Sequence, residues 1–151
     1  MKMWREYYPD AEIVGIDIKD MDFMHNDDWQ VPESVQLIKC DGTDPKQVKK
    51  LGSFDIIIDD GSHYMKDQQK SFELLYYHQL NKDGIYVLED LWTSYIDYYQ
   101  NAPITTIEYL KKLQKKGMKM TYFRHKHDGI KTVFPKYTDL DSETVVIKAG
   151  Q

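Results

Sequence analysis

Short blocks of branched apolar residues recur along this chain, and most of them close on an acid. Glu12 to Asp17, Val35 to Cys40, Phe54 to Asp59 and Gly84 to Leu88 are such blocks, the last running into Glu89-Asp90. Runs without polar alternation predict strands buried on both faces, as parallel strands of α/β proteins are. Between them the apolar positions recur every three to four residues. The segment from His63 to Leu80 places Phe72, Leu75, Tyr76 and Gln79 on one helical face. Asp44-Pro45 gives a cap and a first-turn proline for a short helix stopped by Gly52, and Pro103 and Gly117 frame another carrying Ile104, Ile107, Leu110 and Leu113. Met1 to Tyr8 reads as the tail of a helix stopped by Pro9-Asp10, and Met21 to Ser34 as a polar loop or irregular turn. Met118 to Arg124, a loop around His125 to Gly129 and a closing strand Thr144 to Ala149 look like an antiparallel pair. The alternation predicts one α/β domain spanning residues 1–151, with a mostly parallel sheet and an antiparallel C-terminal strand.

Composition narrows the function classes. A net charge of −5 argues against nucleic acid as partner, because binding phosphate backbone needs a dense positive surface. The one basic cluster, Lys111-Lys112-Leu113-Gln114-Lys115-Lys116, reads as a solvated helix end whose cations complement the helix dipole. Cys40 is alone, which excludes an intrachain disulfide and points to a reducing, cytoplasmic setting; at a strand end it reads as a small buried apolar residue. No apolar run approaches the roughly 18 residues that span a bilayer, so no membrane is expected.

Candidate chemistry lies at the strand ends. Ligands of open α/β sheets collect beyond the carboxyl ends of the strands, where Asp59, Asp60, His63, Glu89 and Asp90 would converge. Carboxylates beside an imidazole suggest a divalent metal with a base next to it. The plainer reading is that Asp59 or Asp60 caps the following helix, and Asp-Gly-Ser is an ordinary turn sequence. Trp92, Tyr95, Tyr98 and Tyr99 suit either an aromatic wall for a sugar ring or core packing. His125-Lys126-His127-Asp128 has the look of a metal tract, but histidines two apart in a polar loop are ordinarily solvated.

The string Phe54-Asp55-Ile56-Ile57-Ile58-Asp59-Asp60-Gly61-Ser62-His63, followed by Gly84-Ile85-Tyr86-Val87-Leu88-Glu89-Asp90-Leu91-Trp92-Thr93-Ser94-Tyr95, resembles the metal-dependent S-adenosylmethionine O-methyltransferases of macrolide sugars, the mycinamicin and macrocin type. The resemblance implies a Rossmann-like class I methyltransferase fold, with S-adenosylmethionine and Mg2+ as cofactors and a small sugar-like acceptor. It assigns the metal to Asp60, Glu89 and Asp90 and the base to His63. Asp17 would hold the ribose hydroxyls, Asp41-Gly42 would contact the adenine, and Asp59 would line the cofactor side. Binding to the metal would lower the pKa of the acceptor hydroxyl, and the imidazole would take its proton.

Such enzymes begin with a strand and a Gly-rich turn, and neither precedes Glu12. The fold is therefore expected to lack its N-terminal part, with Met1 or Met3 an internal methionine of a longer product. Two rival functions follow. A catalytically inactive remnant would bind a partner or form a homo-oligomer through the surface left by the absent strand. A metal-dependent hydrolase would use the same acids and His63 to activate water, but would leave Asp17 and Asp41-Gly42 without a role.

Overall fold

A computed structural model describes residues 2–21, 24, 31–32, 34–126 and 141–150. The chain contains two compact units, Met1–Lys50 and Leu51–Gln151.

The first unit opens with α1 (Lys2–Tyr7), as the early residues suggest. β1 (Val14–Asp17) and β2 (Gln36–Lys39) pair in parallel, from Val14 opposite Gln36 to Asp17 opposite Lys39. α2 (Pro45–Val48) starts where expected, because the Asp44 carboxylate accepts the Lys46 N–H and Pro45 lacks an N–H to satisfy. Val35, Cys40 and Val48 are buried here, so Cys40 is the interior apolar residue that its position predicts. The expected loop from Met21 to Ser34 lies largely outside the described residues.

The second unit contains β3 (Phe54–Asp59), α3 (Met65–His78), β4 (Leu80–Leu88), α4 (Thr106–Lys115), β5 (Met120–Lys126) and β6 (Asp141–Lys148). The sheet order is β3-β4-β6-β5. β3 and β4 are parallel, and β6 runs antiparallel to both β4 and β5. Phe72, Tyr86, Leu91, Leu110, Val145 and Ile147 form the core, each removed from solvent. Burying each such side chain contributes about 1.5–3 kcal/mol.

Several boundaries differ from the sequence reading, for nonlocal reasons. α3 stops at His78 and not Leu80, because Leu80 already pairs with Phe54 as the start of a longer β4. The β3–β4 register then slips, so that Ile56 faces Ile85. α4 starts at Thr106 and not at Pro103, because Thr105 and Glu108 form a reciprocal capping box. Trp92, Tyr95 and Tyr99 lie on two short 3-10 turns, Leu91–Tyr95 and Asp97–Tyr99. His125 and Lys126 end β5, whereas His127 and Asp128 lie outside the described residues. The lysines of the basic cluster are exposed at the end of α4, as predicted. β3 is not buried on both faces: Ile57 is interior, but Ile56 and Ile58 are 47% and 37% exposed. β3 is an edge strand of its sheet, and an apolar run does not itself specify what covers each face.

Candidate metal and proton-transfer site

β3 and β4 run side by side in the same direction, so their carboxyl ends deliver the acidic segments to one place. Asp59 is paired with Leu88, and the Glu89 N–H donates to the Asp59 carbonyl at 3.0 Å. Just beyond, Asp60, His63 and Asp90 each bring a ligand atom within 4.8 Å of the others. His63 Nε2 lies 3.4 Å from Asp90 Oδ2. Glu89 is half-buried beside Asp90 but is outside that three-residue cluster.

Asp90 adopts a left-handed backbone with φ 52°, which aspartate tolerates better than most residues. Sparsely populated backbone at a cluster of acids is characteristic of functional sites. Burial, and then the charge of Asp90, raise the Asp60 carboxyl above its ordinary range, with His63 opposing. Two acids whose negative charges disfavour each other suit a cation, and oxygen donors are the hard ligands that Mg2+ accepts.

The imidazole of His63 has aromatic neighbours. Trp92 and Tyr99 meet it edge-on at ring-centre distances of 6.3 and 6.1 Å. Tyr99 in turn meets Tyr64 at 5.7 Å and Tyr98 at 5.1 Å between ring centres, and Tyr64 is tilted against Tyr98 at 6.0 Å. Trp92 is buried, whereas Tyr98 is 67% exposed. The aromatic residues thus divide between packing and a solvent-facing surface. Tyr95 belongs elsewhere, donating to Glu143 at 3.0 Å.

Asp59 turns inward. Its Oδ2 accepts Ser71 Oγ at 2.6 Å and the Tyr86 hydroxyl in a shorter hydrogen bond, while Oδ1 accepts the Gly61 N–H at 3.3 Å. Neither Asp59 nor Asp60 caps α3, whose N-cap is Tyr64 with no side-chain capping bond. Sequence reasoning missed Ser71, Tyr86 and Tyr64. A tyrosine inside an apolar strand was the available signal, because a buried phenol needs a hydrogen-bond partner.

In the first unit, Asp17 is exposed at the end of β1 and accepts the Lys19 N–H at 2.8 Å. Asp41 Oδ1 accepts both the N–H and the hydroxyl of Thr43, at 2.8 and 2.7 Å. A Cβ on Gly42 would meet only Ile16 Cδ1 at 3.9 Å, so space does not demand glycine there.

The fold is that of the class I S-adenosylmethionine-dependent methyltransferases. The chain superposes over 99% of its length on the MycE methyltransferase of the mycinamycin biosynthetic pathway, solved with Mg and SAH, at a TM-score of 0.71 and 25% identity. It also superposes over 97% of its length on an S-adenosylmethionine-dependent methyltransferase from Archaeoglobus fulgidus, at 0.56 and 16%. Within that class the chain is a homologue of the macrolide and sugar O-methyltransferases. It is 36% identical to mycinamicin VI 2''-O-methyltransferase of Micromonospora griseorubida over 99 residues, 63% of this chain and 23% of that protein. It is 37% identical over 109 residues to 8-demethyl-8-(2-methoxy-alpha-L-rhamnosyl)-tetracenomycin-C 3'-O-methyltransferase of Streptomyces olivaceus, 72% of this chain and 27% of that protein. The chain thus spans about a quarter of the length of these curated relatives, and 39% of the MycE chain. No family model matches it. No helix among the described residues is long and apolar enough to cross a membrane.

Proposed function

We propose that this chain is a single methyltransferase-like domain of an S-adenosylmethionine- and Mg2+-dependent enzyme that methylates a hydroxyl of a sugar or other small-molecule diol. The convergence of Asp60, His63 and Asp90 beyond β3 and β4 is the observation that carries the reading. The homologous sugar O-methyltransferases and the Mg and SAH in the MycE structure support it.

Asp60 and Asp90, with Glu89 beside them, would hold the ion, and Asp17 and Asp41-Gly42 the nucleoside. The bound cofactor supplies an electrophilic methyl group on a sulfonium sulfur, and the ion supplies Lewis acidity that lowers the acceptor hydroxyl's pKa. His63 would accept the acceptor hydroxyl's proton as the cofactor supplies its methyl group to that oxygen and is left as a neutral thioether. Trp92 and Tyr99 limit the imidazole's orientations, and Asp90 Oδ2 lies 3.4 Å from its Nε2. We place the apolar C–H face of the acceptor ring on Tyr98 and Tyr64. The buried, solitary Cys40 is consistent with the cytoplasmic setting we assign.

Calorimetric titration with S-adenosylhomocysteine, with and without Mg2+, tests the reading. Micromolar binding that Asp17→Ala weakens at least tenfold is expected. A folded chain that releases no heat under either condition would overturn it.

A further inference from the structure

We propose that Asp59 is a positioning residue, held from the core by Tyr86 and Ser71, and that it sets the separation of the acids Asp60 and Asp90. The proposal rests on the reading of those acids as metal-binding, and gives Asp59 a role other than lining the cofactor.

Four hydrogen bonds meet at this one residue. Its carbonyl accepts the Glu89 N–H and so fixes the start of the Glu89-Asp90 segment. Its Oδ1 accepts the Gly61 N–H and so restrains the turn that presents Asp60 and His63. Its Oδ2 takes both hydroxyls, from Ser71 on α3 and Tyr86 on β4. Both acidic segments are thereby tied to the same residue, the Glu89-Asp90 segment through its carbonyl and the Gly61 turn through its carboxylate.

The donors are themselves immobilised. Tyr86 is 0% exposed, and Phe72 meets its ring edge-on at 5.2 Å and 90°. Ser71 is buried in the middle of α3. A carboxylate receiving hydroxyl donors from two packed elements gains charge-assisted bonds, and its direction is set by the core and not by solvent. Close fit continues at the turn, where a Cβ on Gly61 would approach Asp59 Oδ1 to 3.2 Å. With its acceptor sites directed at Ser71, Tyr86 and Gly61, the carboxylate is committed to the scaffold. Groups that orient a metal ligand typically change affinity 10- to 100-fold when removed.

The test is titration of the whole chain with Mn2+, following free aqueous Mn2+ by electron paramagnetic resonance, beside thermal unfolding and calorimetry with S-adenosylhomocysteine. Tyr86→Phe deletes the donor and keeps the ring; it should weaken Mn2+ about tenfold and leave S-adenosylhomocysteine affinity unchanged. Ser71→Ala should weaken Mn2+ in the same direction, and it decides the question if Tyr86→Phe does not fold. Thr105→Ala, a helix-cap change remote from the acids, should lower stability without altering Mn2+ affinity. Unchanged Mn2+ affinity in a destabilised Tyr86→Phe would overturn the proposal and leave Tyr86 as a packing residue. Loss of S-adenosylhomocysteine binding with Mn2+ unchanged would overturn it in favour of a cofactor role for Asp59. If the unaltered chain binds no Mn2+, the metal reading fails and the proposal fails with it.

Discussion

His63 Nε2 lies 3.4 Å from Asp90 Oδ2, joining the turn after β3 to the segment after β4. One contact therefore links the residue assigned as base to a residue assigned as metal ligand. In the proposed mechanism His63 is the proton acceptor, and Asp90 holds a carboxylate oxygen within reach of its Nε2. His63→Gln should reduce methyl transfer by roughly 100- to 10,000-fold. S-adenosylhomocysteine affinity, read by calorimetry, should stay within a factor of about two. A His63→Gln protein with undiminished turnover would remove the imidazole from the mechanism.

The raised pKa of Asp60 predicts a pH-dependent stability for the metal-free protein. That pKa is raised in the folded chain above the ordinary 3.8, first by burial and then by Asp90. Such a carboxyl holds its proton more tightly when folded. Its contribution favours folding fully below the unfolded pKa and is lost as pH rises through the raised folded value. Comparing urea unfolding of the wild type with that of Asp60→Asn isolates this contribution. The stability difference should shift in favour of the asparagine variant as pH rises from about 3 to 7 without metal. Excess Mg2+ should shift it back towards the wild type, and parallel profiles would exclude the raised pKa of Asp60.

Tyr98 is the most exposed member of the aromatic group next to His63, ahead of Tyr64. If an acceptor ring rests on it, Tyr98→Ala should raise the acceptor KM about tenfold, corresponding to the roughly 0.5–1.5 kcal/mol of an aromatic contact plus lost area. Assayed with a methyl α-L-rhamnoside, kcat should change far less than KM. Equal losses in both, or none in either, would place the acceptor elsewhere.

Gly84 sits in β4 where the register slips. A Cβ there would lie 2.9 Å from the Asn81 carbonyl oxygen, the Asp55 carbonyl oxygen and Leu80 Cδ1. Two of the three obstacles are backbone, so the strand must shift. Gly84→Ala should cost about 1–3 kcal/mol in urea unfolding, in the range of overpacked sites. Gly42→Ala, with only an ordinary contact, should be close to neutral in stability.

The chain's own pattern was sufficient wherever the information is local. Branched runs specify strands, and acids at their ends come together once those strands are parallel neighbours, as Asp60 and Asp90 do. The three-residue step from Asp60 to His63 confines both to one turn whatever the rest of the fold does. Asp44 and Thr105 were bound to local partners, so the first cap was legible, although the Pro103 signal masked the second. Tertiary structure decided what depends on distant partners. Asp59 reads like its neighbour Asp60, but strand alternation turns successive side chains to opposite faces. Tyr86 and Ser71 await one of them, from 27 and 12 residues away. Tyr64 joins the aromatic group through Tyr98 and Tyr99, which no helical spacing predicts. Ile56 and Ile58 look as interior as Ile57 in sequence, yet only Ile57 is buried. A strand's residues encode its preference for apolar surroundings, and only the packing of other elements determines which of its faces receives them.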